Sequence, residues 1–340
     1  AWSCFEALAE LAERNSNDQF FRLIRDLPYG IAGSGGILLA LELLKRSGIS
    51  AAGVLAERLL AQLRPERLFE DEAVDLIGGV TGLIGPLLLA GSSRSLDLAL
   101  VCGERLLAQQ LASGGWPVGA SFSPHKTPLT GFSHGAAGMA AALARLAHVS
   151  GDERFADSAR RAIGYERSVF NHERGNWPDF RGSNEPNVYM MSWCHGAPGI
   201  LLSRAVLVEA GVADEDIIAE QHIAQASTMA ALETMLNQTG DAAAHLCCGV
   251  LGLTSLLRVD AQTRGQALAE PVVAAESALL RQAHISGGYN FFAVDTGSLN
   301  LPGLYTGKAG VALAWLEAAD GLLWLPAILS AGLLNPSVSR

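Results

Sequence analysis

Two adjacent cysteines, Cys247 and Cys248, are the residues of this 340-residue chain that most clearly suggest chemistry. A disulfide between sequence neighbours would be strained, so a shared metal ion explains the pair better. Such a metal would need at least one more soft ligand. Cys194 stands about fifty residues earlier in the chain and could provide it. The three cysteines can cooperate only if the fold brings their two segments together.

An internal repeat gives a reason to expect this meeting. The pattern Gly-x-x-Gly, followed by a helix of small and apolar residues, occurs six times at intervals of roughly 50 to 60 residues. A near-constant period indicates one supersecondary unit used repeatedly, and equivalent positions of adjacent units then lie side by side. The first glycines of the six motifs are Gly30, Gly79, Gly135, Gly196, Gly249 and Gly307.

The positions just before these motifs hold reactive side chains in the third, fourth and fifth repeats. Cys194 and Cys247 occupy the same position in adjacent units, and Cys248 follows one residue later. Three thiolates at one end of the fold suit a catalytic zinc ion, which takes three protein ligands and keeps one position open. Two alternatives remain. The cysteines could be buried core residues, or His195 or His245 could be a fourth ligand that closes a structural site.

Other side chains near the motifs are candidates for the same site. His134 holds in the third repeat the position that His195 holds in the fourth, which favours a role in the site over a purely structural one. Asp75 lies four residues before the second motif, where the sequence allows either a helix cap or a site residue. Trp193 suits core packing or a pocket wall, and we predict that Trp193 and His195 contact the substrate.

The donor set indicates which reaction such a site would favour. Zinc holds a thiol as thiolate at neutral pH, so an open position could activate a substrate thiol or a water molecule. Three thiolates already give the ion a net negative charge, which makes it a poor Lewis acid for water and favours the thiol. A nearby imidazole could then protonate the carbanion that forms when sulfur adds to an activated alkene.

Helical periodicity predicts the elements that position these residues. Each repeat has room for an apolar helix after the glycines and for a more charged amphipathic helix, which is typical of inner and outer helices of a ring. Six such helical hairpins predict an all-α fold, an α/α toroid with the zinc site at one end. An open solenoid is the alternative. No linker divides the chain, so we expect a single domain over residues 1–340.

Composition excludes several classes of function. Hydrophobic residues make up 49% of the chain and charged residues 17%, with a net charge of −10, so a nucleic-acid partner is not expected. No apolar run is long enough to span a membrane, and no secretory signal is present. Five cysteines without framework spacing fit a reducing cytoplasm. The chain starts at Ala1 within a helical pattern, which predicts a fragment of a longer protein.

Four motifs together resemble the lanthionine synthetase cyclases. They are Gly131-Phe-Ser-His-Gly-Ala-Ala-Gly138, Ser192-Trp-Cys-His-Gly-Ala-Pro-Gly199, Leu246-Cys-Cys-Gly249 and Gly303-Leu-Tyr-Thr-Gly-Lys-Ala-Gly310. The resemblance runs from about Leu27 to Leu316. Leu27-Pro-Tyr-Gly-Ile-Ala-Gly33 is most similar to the C-terminal cyclase domain of bifunctional class II synthetases, which would leave an N-terminal dehydratase domain missing here.

The resemblance implies a toroid with Zn²⁺ at one end. It implies addition of peptide Cys thiols to dehydroalanine or dehydrobutyrine, which forms thioether rings in a dehydrated precursor peptide with leader and core. By resemblance Cys194, Cys247 and Cys248 bind zinc, His134 is the acid/base residue and Asp75 the catalytic aspartate. The family's third ligand is most often His, and a subset of class II enzymes has Cys there, which should make the bound thiolate more reactive.

This chain also departs from the family and leaves rival functions open. Many members carry Arg four residues before the first zinc cysteine, where Met190 stands here. The rivals are an enzyme of the same fold that adds glutathione to dehydrated residues, and a non-catalytic peptide-binding module stapled by zinc. A glycosidase on an unrelated toroid would need paired acids at the rim, and Asp179, Glu185 and Asp295 are the acids in those loops.

Overall fold

The computed structural model describes residues 26–118, 123, 126–181, 188–237, 242–291, 302–320 and 324–334. Within these ranges the fold is all-α, and two isolated β-bridges are its only extended pairing. The thirteen helices, in chain order, are α1 Ser34–Arg46, α2 Ser50–Gln62, α3 Pro65–Glu70, α4 Thr81–Ala90, α5 Ser93–Gln109, α6 Ala136–Ser150, α7 Glu153–Ser168, α8 Ala197–Glu209, α9 Glu215–Asn237, α10 Val250–Thr263, α11 Glu270–Ser286, α12 Lys308–Asp320 and α13 Trp324–Leu329.

The helices alternate between two environments, as the sequence predicts. The six inner helices (α1, α4, α6, α8, α10 and α12) each begin at a Gly-x-x-Gly motif, and each contacts the next inner helix in turn. In α6 every residue from Ala136 to Ala147 is buried, because its small side chains allow neighbours on all sides to approach. The outer helix α7 buries one face, including Phe155 and Ile163, and exposes its charged face.

Backbone hydrogen bonds join the six motif loops at one end of the ring. We call these five links the rim belt. They run from Gly30 N to Gly78 O, from Leu76 N to Ser133 O, from Phe132 N to Cys194 O, from Trp193 N to Cys247 O, and from Cys247 N to Tyr305 O, with N···O distances of 2.8–3.1 Å. Each link connects one repeat to the next. The belt therefore places equivalent motif positions side by side, which the repeat predicted.

The last described segment completes the ring. Ala327 and Ile328 of α13 form an apolar cluster with Leu39 of α1 and Leu89 of α4, against which Leu313 of α12 packs. This cluster brings the sixth repeat to the first and closes the toroid, so the open solenoid is excluded. The sixth repeat differs from the others because its inner helix is followed by the short α13 in place of a long outer helix.

A buried ion network fixes the third and fourth repeats together. Arg204 of α8 is fully buried and pairs with Glu166 of α7 at 3.0 Å and with Glu220 of α9 at 2.9 Å. Glu166 also accepts a hydrogen bond from the backbone N–H of Gly131, at 3.1 Å. Paired buried charges of this kind specify geometry more than they add stability. The loop that carries His134 is thereby anchored to two helices behind it.

No helix in the described ranges combines the length and the apolar composition that crossing a bilayer requires.

We predict that the close approach of loops at the rim belt depends on glycine. A Cβ atom on Gly82 would lie 1.9 Å from Leu76 O and 2.7 Å from Ile31 N, both backbone atoms. Gly82→Ala should therefore lower the free energy of unfolding by about 3 kcal/mol. Urea unfolding followed by circular dichroism would measure the loss.

Gly164 provides the matched control. It lies on the exposed side of α7, and a Cβ there would meet nothing within 4 Å. Gly164→Ala should raise the free energy of unfolding by roughly 0.5–1 kcal/mol, because alanine favours the helix. Equal effects of the two substitutions would contradict the role given to the rim belt.

Candidate metal centre

Three sulfur atoms meet at the rim. Cys194 belongs to the loop before α8, and Cys247 and Cys248 belong to the loop before α10. The Sγ atom of Cys247 lies 3.6 Å from that of Cys194 and 3.3 Å from that of Cys248, and all three lie within 4.8 Å of one another. The belt explains this meeting, since Trp193 N donates to Cys247 O. The predicted convergence of the three cysteines is confirmed.

The three clustered thiols differ in pKa. The thiols of Cys247 and Cys248 hydrogen-bond toward Cys194, and this lowers the pKa of the Cys194 thiol far below its usual range. Contacts with the other two sulfurs, together with burial, raise the pKa of the Cys247 thiol. The contact with Cys194 and burial raise the pKa of the Cys248 thiol to about 11, against the opposing effect of Cys247. The Ser192 hydroxyl lies 3.2 Å from Cys194 Sγ and supports the thiolate. A metal cation bound between these sulfurs would take the place of the protons that they share and would displace them.

The donor set fits a zinc ion. Soft sulfur ligands select zinc over the hard cations, and a tetrahedral zinc ion with three protein ligands keeps one position for a further group. Cys247 and Cys248 are partly exposed, which distinguishes them from the fully buried Cys102. Among the described residues, no nitrogen of His195 or His245 joins the group of clustered ligand atoms. His245 Nδ1 instead accepts a hydrogen bond from Cys248 N, at 3.1 Å.

Asp75 and His134 form a pair on the same rim. Asp75 Oδ2 lies 2.8 Å from His134 Nδ1, and Asp75 Oδ1 accepts a hydrogen bond from Gly78 N at 2.6 Å. Asp75 therefore caps its own turn and contacts the histidine. The helix-cap alternative is wrong, because α4 begins at Thr81 and has no side-chain cap, and the role of Asp75 as a site residue stays a prediction. Burial would raise the pKa of the Asp75 carboxyl, but the His134 hydrogen bond and charge and the backbone N–H groups lower it. Asp75 is thus held as a carboxylate.

His195 links this pair to the sulfur cluster. Its ring stacks on the ring of His134 with 6.1 Å between centroids, and it follows Cys194 directly in the chain. It is fully buried, with Nε2 3.4 Å from Ser133 Oγ and Nδ1 3.8 Å from Asp179 Oδ1. Burial lowers the pKa of His195 to about 4, against the opposing effect of Asp179. The imidazole is therefore neutral at physiological pH.

Trp193 forms part of the core beneath the sulfurs. It is 2% exposed, packs against the rings of Phe132 and Tyr305, and donates from Nε1 to Leu329 O at 2.9 Å. The structure thus gives Trp193 and His195 packing partners and almost no exposed surface. Direct contact of either side chain with a substrate stays a prediction.

Sequence reasoning missed one charged residue of this region, Arg181. Its guanidinium group binds both carboxylate oxygens of the buried Asp179 at 2.9–3.2 Å, and Nη2 lies 3.3 Å from Met190 Sδ. Burial lowers the pKa of Arg181, but the Asp179 contacts and the negative charges of Cys194 and Cys247 raise it. The only sequence signal was the spacing of Asp179 and Arg181 within one turn. Asp179 is thus paired with a cation, and the other two rim acids, Glu185 and Asp295, lie outside the described residues.

Comparisons with known proteins bear on this geometry. Among solved structures, nisin cyclase superposes with a TM-score of 0.64 and 18% identity over 92% of this chain and 82% of that chain. A sugar epimerase from a ruminal bacterium superposes with a TM-score of 0.50 and 11% identity, over 98% of this chain and 100% of that one. At these identities the likeness concerns the fold alone.

No curated protein matched the sequence. The sequence profile described as lanthionine synthetase C-like protein, however, matches residues 2–328, which is nearly the whole chain. The all-helical toroid and the motifs that carry the rim cysteines agree with that match. The chain belongs to the lanthionine synthetase C-like protein family.

Proposed function

We propose that this chain is a zinc-dependent lanthipeptide cyclase, which closes thioether rings in a dehydrated peptide. The observation that carries the proposal is the arrangement of three clustered cysteine sulfurs beside the Asp75–His134 pair. Membership of the family and the similarity to a structure named nisin cyclase support it. The whole of residues 1–340 would act as one cyclase domain.

In this proposal Cys194, Cys247 and Cys248 hold the zinc ion. When bound, zinc would keep the Cys thiol of the substrate peptide in its thiolate form at neutral pH. The protein supplies the rest. The rim belt fixes the backbone of the ligand loops, and the neutral His195 fills the space behind Cys194 without adding a competing positive charge.

Asp75 and His134 would carry out the proton transfers of the addition reaction. As the peptide sulfur bonds to the β-carbon of a dehydroalanine or dehydrobutyrine, an enolate forms at the α-carbon and its carbonyl. That carbon then needs one proton, and the thiol has lost one. His134 Nδ1 donates its hydrogen bond to Asp75 Oδ2, so Nε2 is the atom that would exchange protons with the substrate. Asp75 orients the imidazole and assists thiol deprotonation.

Arg181 would balance the charge of the site. Three thiolates and the peptide thiolate leave the zinc centre negative, and a guanidinium group whose pKa responds to two of these sulfurs lies nearby. Asp179 holds the group in place through a two-oxygen contact. Arg181 is therefore proposed as a positioning residue that favours thiolate at the rim.

A peptide with dehydrated residues is the partner that this chemistry requires, and a separate dehydrating activity must supply it. The zinc-stapled binding module would need a closed set of four ligands, whereas the described residues supply a cluster of three sulfurs. Glutathione addition uses the same thiol chemistry. Mass spectrometry separates it, because a glutathione adduct changes the mass of the peptide and ring closure does not.

Zinc content is the first test. Elemental analysis should find about one zinc ion per chain, and Cys247→Ala should lose it because only two sulfurs then remain. Cys102→Ala is the matched control, since Cys102 is a fully buried cysteine away from the cluster and its loss should leave the zinc bound. Wild-type protein that is folded and free of zinc would contradict the metal site.

His134→Asn should retain zinc and slow ring closure by about 100-fold or more, because the enolate loses its proton donor. The assay would use a peptide with one Cys and one dehydroalanine and would count unreacted thiol by iodoacetamide labelling and mass spectrometry. His148→Asn is the control, because His148 lies at the opposite end of α6. Wild-type rates in the His134 variant would remove that residue from the mechanism.

Arg181→Gln should make the rim thiols harder to ionise, because a nearby cation stabilises thiolate. In zinc-free protein the pH dependence of iodoacetamide labelling of the rim cysteines should move toward higher pH by about one pH unit. Arg181→Lys should restore much of the wild-type profile, and Arg174→Gln, in the same exposed loop, should leave it unchanged. A profile identical in all four proteins would show that Arg181 has no electrostatic role.

A further inference from the structure

A cavity of about 260 Å³ opens beside the first repeat. Its walls come from Tyr29, just before the first motif glycine, from Ser34 at the start of α1, and from the turn that joins α2 to α3. That turn supplies Gln62, Arg64 and Arg67, while the buried Leu59 and Leu63 form an apolar floor. We call this cavity the arginine pocket. None of its residues belongs to the sulfur cluster or to the Asp75–His134 pair.

The two arginines of the arginine pocket make no salt bridge to the described residues. Arg64 and Arg67 are exposed, and neither has a carboxylate within salt-bridge distance among the described residues. Ser34 also lines the cavity and is 3% exposed. By contrast, the guanidinium groups described on α5, α7, α8 and α10, and at the C-cap of α10, contact carboxylates, side-chain amides or carbonyl groups (Arg94, Arg105, Arg154, Arg160, Arg161, Arg167, Arg204, Arg258 and Arg264).

Nearby acids do not occupy this pocket. Asp71 is the acid whose charge acts on Tyr29, while the charge of Arg67 acts on the same hydroxyl in the opposite sense. The Oδ1 atom of Asp71 accepts a hydrogen bond from Ala73 N, and its backbone oxygen accepts one from Arg105. Glu66 and Glu70 of α3 are exposed and line no part of the cavity. Arg64 and Arg67 are therefore the charged side chains that line the pocket, and the negative charge of Asp71 reaches Tyr29.

This chemistry selects a carboxylate on a short aliphatic stem. Guanidinium groups bind carboxylates through two parallel hydrogen bonds, hydroxyl and amide groups can add further contacts, and the leucine floor would cover methylene groups. Sites for whole small molecules span about 300–1,000 Å³. The arginine pocket is smaller than that, which fits one side chain of a larger ligand better than a free metabolite.

The position of the pocket relates it to the metal centre. Links of the rim belt place the first repeat beside the second, which carries Asp75, and the second beside the third, which carries His134. Tyr29, which lines the pocket, directly precedes Gly30 of the rim belt. Inner helices pack about 8–10 Å apart, so the first repeat and the fourth, which carries Cys194, face each other across the ring at about 20 Å. An extended peptide covers that distance in about six residues.

We propose that the arginine pocket binds a glutamate or aspartate side chain of the peptide that the rim processes. Arg64 and Arg67 would hold the carboxylate, with Tyr29, Ser34 and Gln62 around it. The acidic residue would lie about six residues from the Cys or dehydrated residue at the metal centre. The identity of this peptide as a cyclisation substrate rests on the proposed function, whereas the preference for acidic side chains does not.

The test compares two fluorescein-labelled Gly/Ser peptides, one with two Leu-Glu pairs and a twin in which both Glu are Gln. Fluorescence anisotropy at low salt should show about tenfold tighter binding of the Glu peptide, because two guanidinium groups would each bind a carboxylate that the Gln peptide lacks. The double variant Arg64→Gln/Arg67→Gln should bind both peptides equally weakly.

Arg154→Gln/Arg160→Gln is the matched control, since it removes the same charge from the exposed face of α7 and should keep the full preference. Equal binding of the two peptides by wild-type protein would overturn the proposal, as would a preference that survives loss of Arg64 and Arg67. Inorganic phosphate gives a third arm. The contrary outcome of this arm is that phosphate raises the melting temperature of wild-type protein but not of the double variant, while neither peptide binds. In that case the pocket is a free-anion site and the peptide assignment is wrong.

Cys248→Ala separates this proposal from the proposed function. The variant should lose zinc and ring closure but keep the arginine-dependent preference for the Glu peptide. If wild-type protein makes no rings and still prefers the Glu peptide, the cyclase proposal fails and the pocket stands.

Discussion

Backbone hydrogen bonds between successive motif loops are the constraint on which the rest of this molecule depends. They require main chains to approach so closely that a Cβ atom on Gly30 would lie 2.3 Å from Ile77 O. The same contacts use Cys194 O and Cys247 O as acceptors. Two residues whose sulfurs form the candidate metal centre therefore also hold adjacent repeats together through backbone hydrogen bonds. The spacing of the sulfurs follows from the backbone link between the fourth and fifth repeats.

The charged groups around the half-buried rim sulfurs are arranged so that negative charge on the sulfurs is tolerated. The Asp179–Arg181 contact brings a cation near the sulfurs, burial keeps His195 neutral, and Asp75 remains a carboxylate with both oxygens hydrogen-bonded. Each of these states depends on its neighbours. Without its contact to Arg181, the buried Asp179 would add negative charge to a region that already concentrates it.

The ring and the meeting of the cysteines could be predicted because the sequence repeats the same motif six times. The period of the glycine motifs predicted the ring, and the shared repeat position of Cys194 and Cys247 predicted their meeting. Arg181 could not be found in this way, because it lies in a connecting loop that has no counterpart in the other repeats. Core packing of Trp193 was one of the two predicted roles, but its hydrogen bond to Leu329 O could not be predicted, since Leu329 lies 136 residues further along the chain. The arginine pocket depends on how α2 turns into α3, and the motif pattern contains nothing about that turn.

The way in which α13 closes the ring has a consequence for the order of folding. Contacts between neighbouring repeats are local in sequence, so they can form as each hairpin is synthesised. The contacts of α13 with α1 and α4 join residues about 240 to 290 positions apart, and the entropic cost of such closure is met last. Cys194 and Cys247 can thus come together while the ring is still open and Trp193 still lacks its acceptor, Leu329 O. During that interval the sulfur cluster would form before the ring that encloses it is complete.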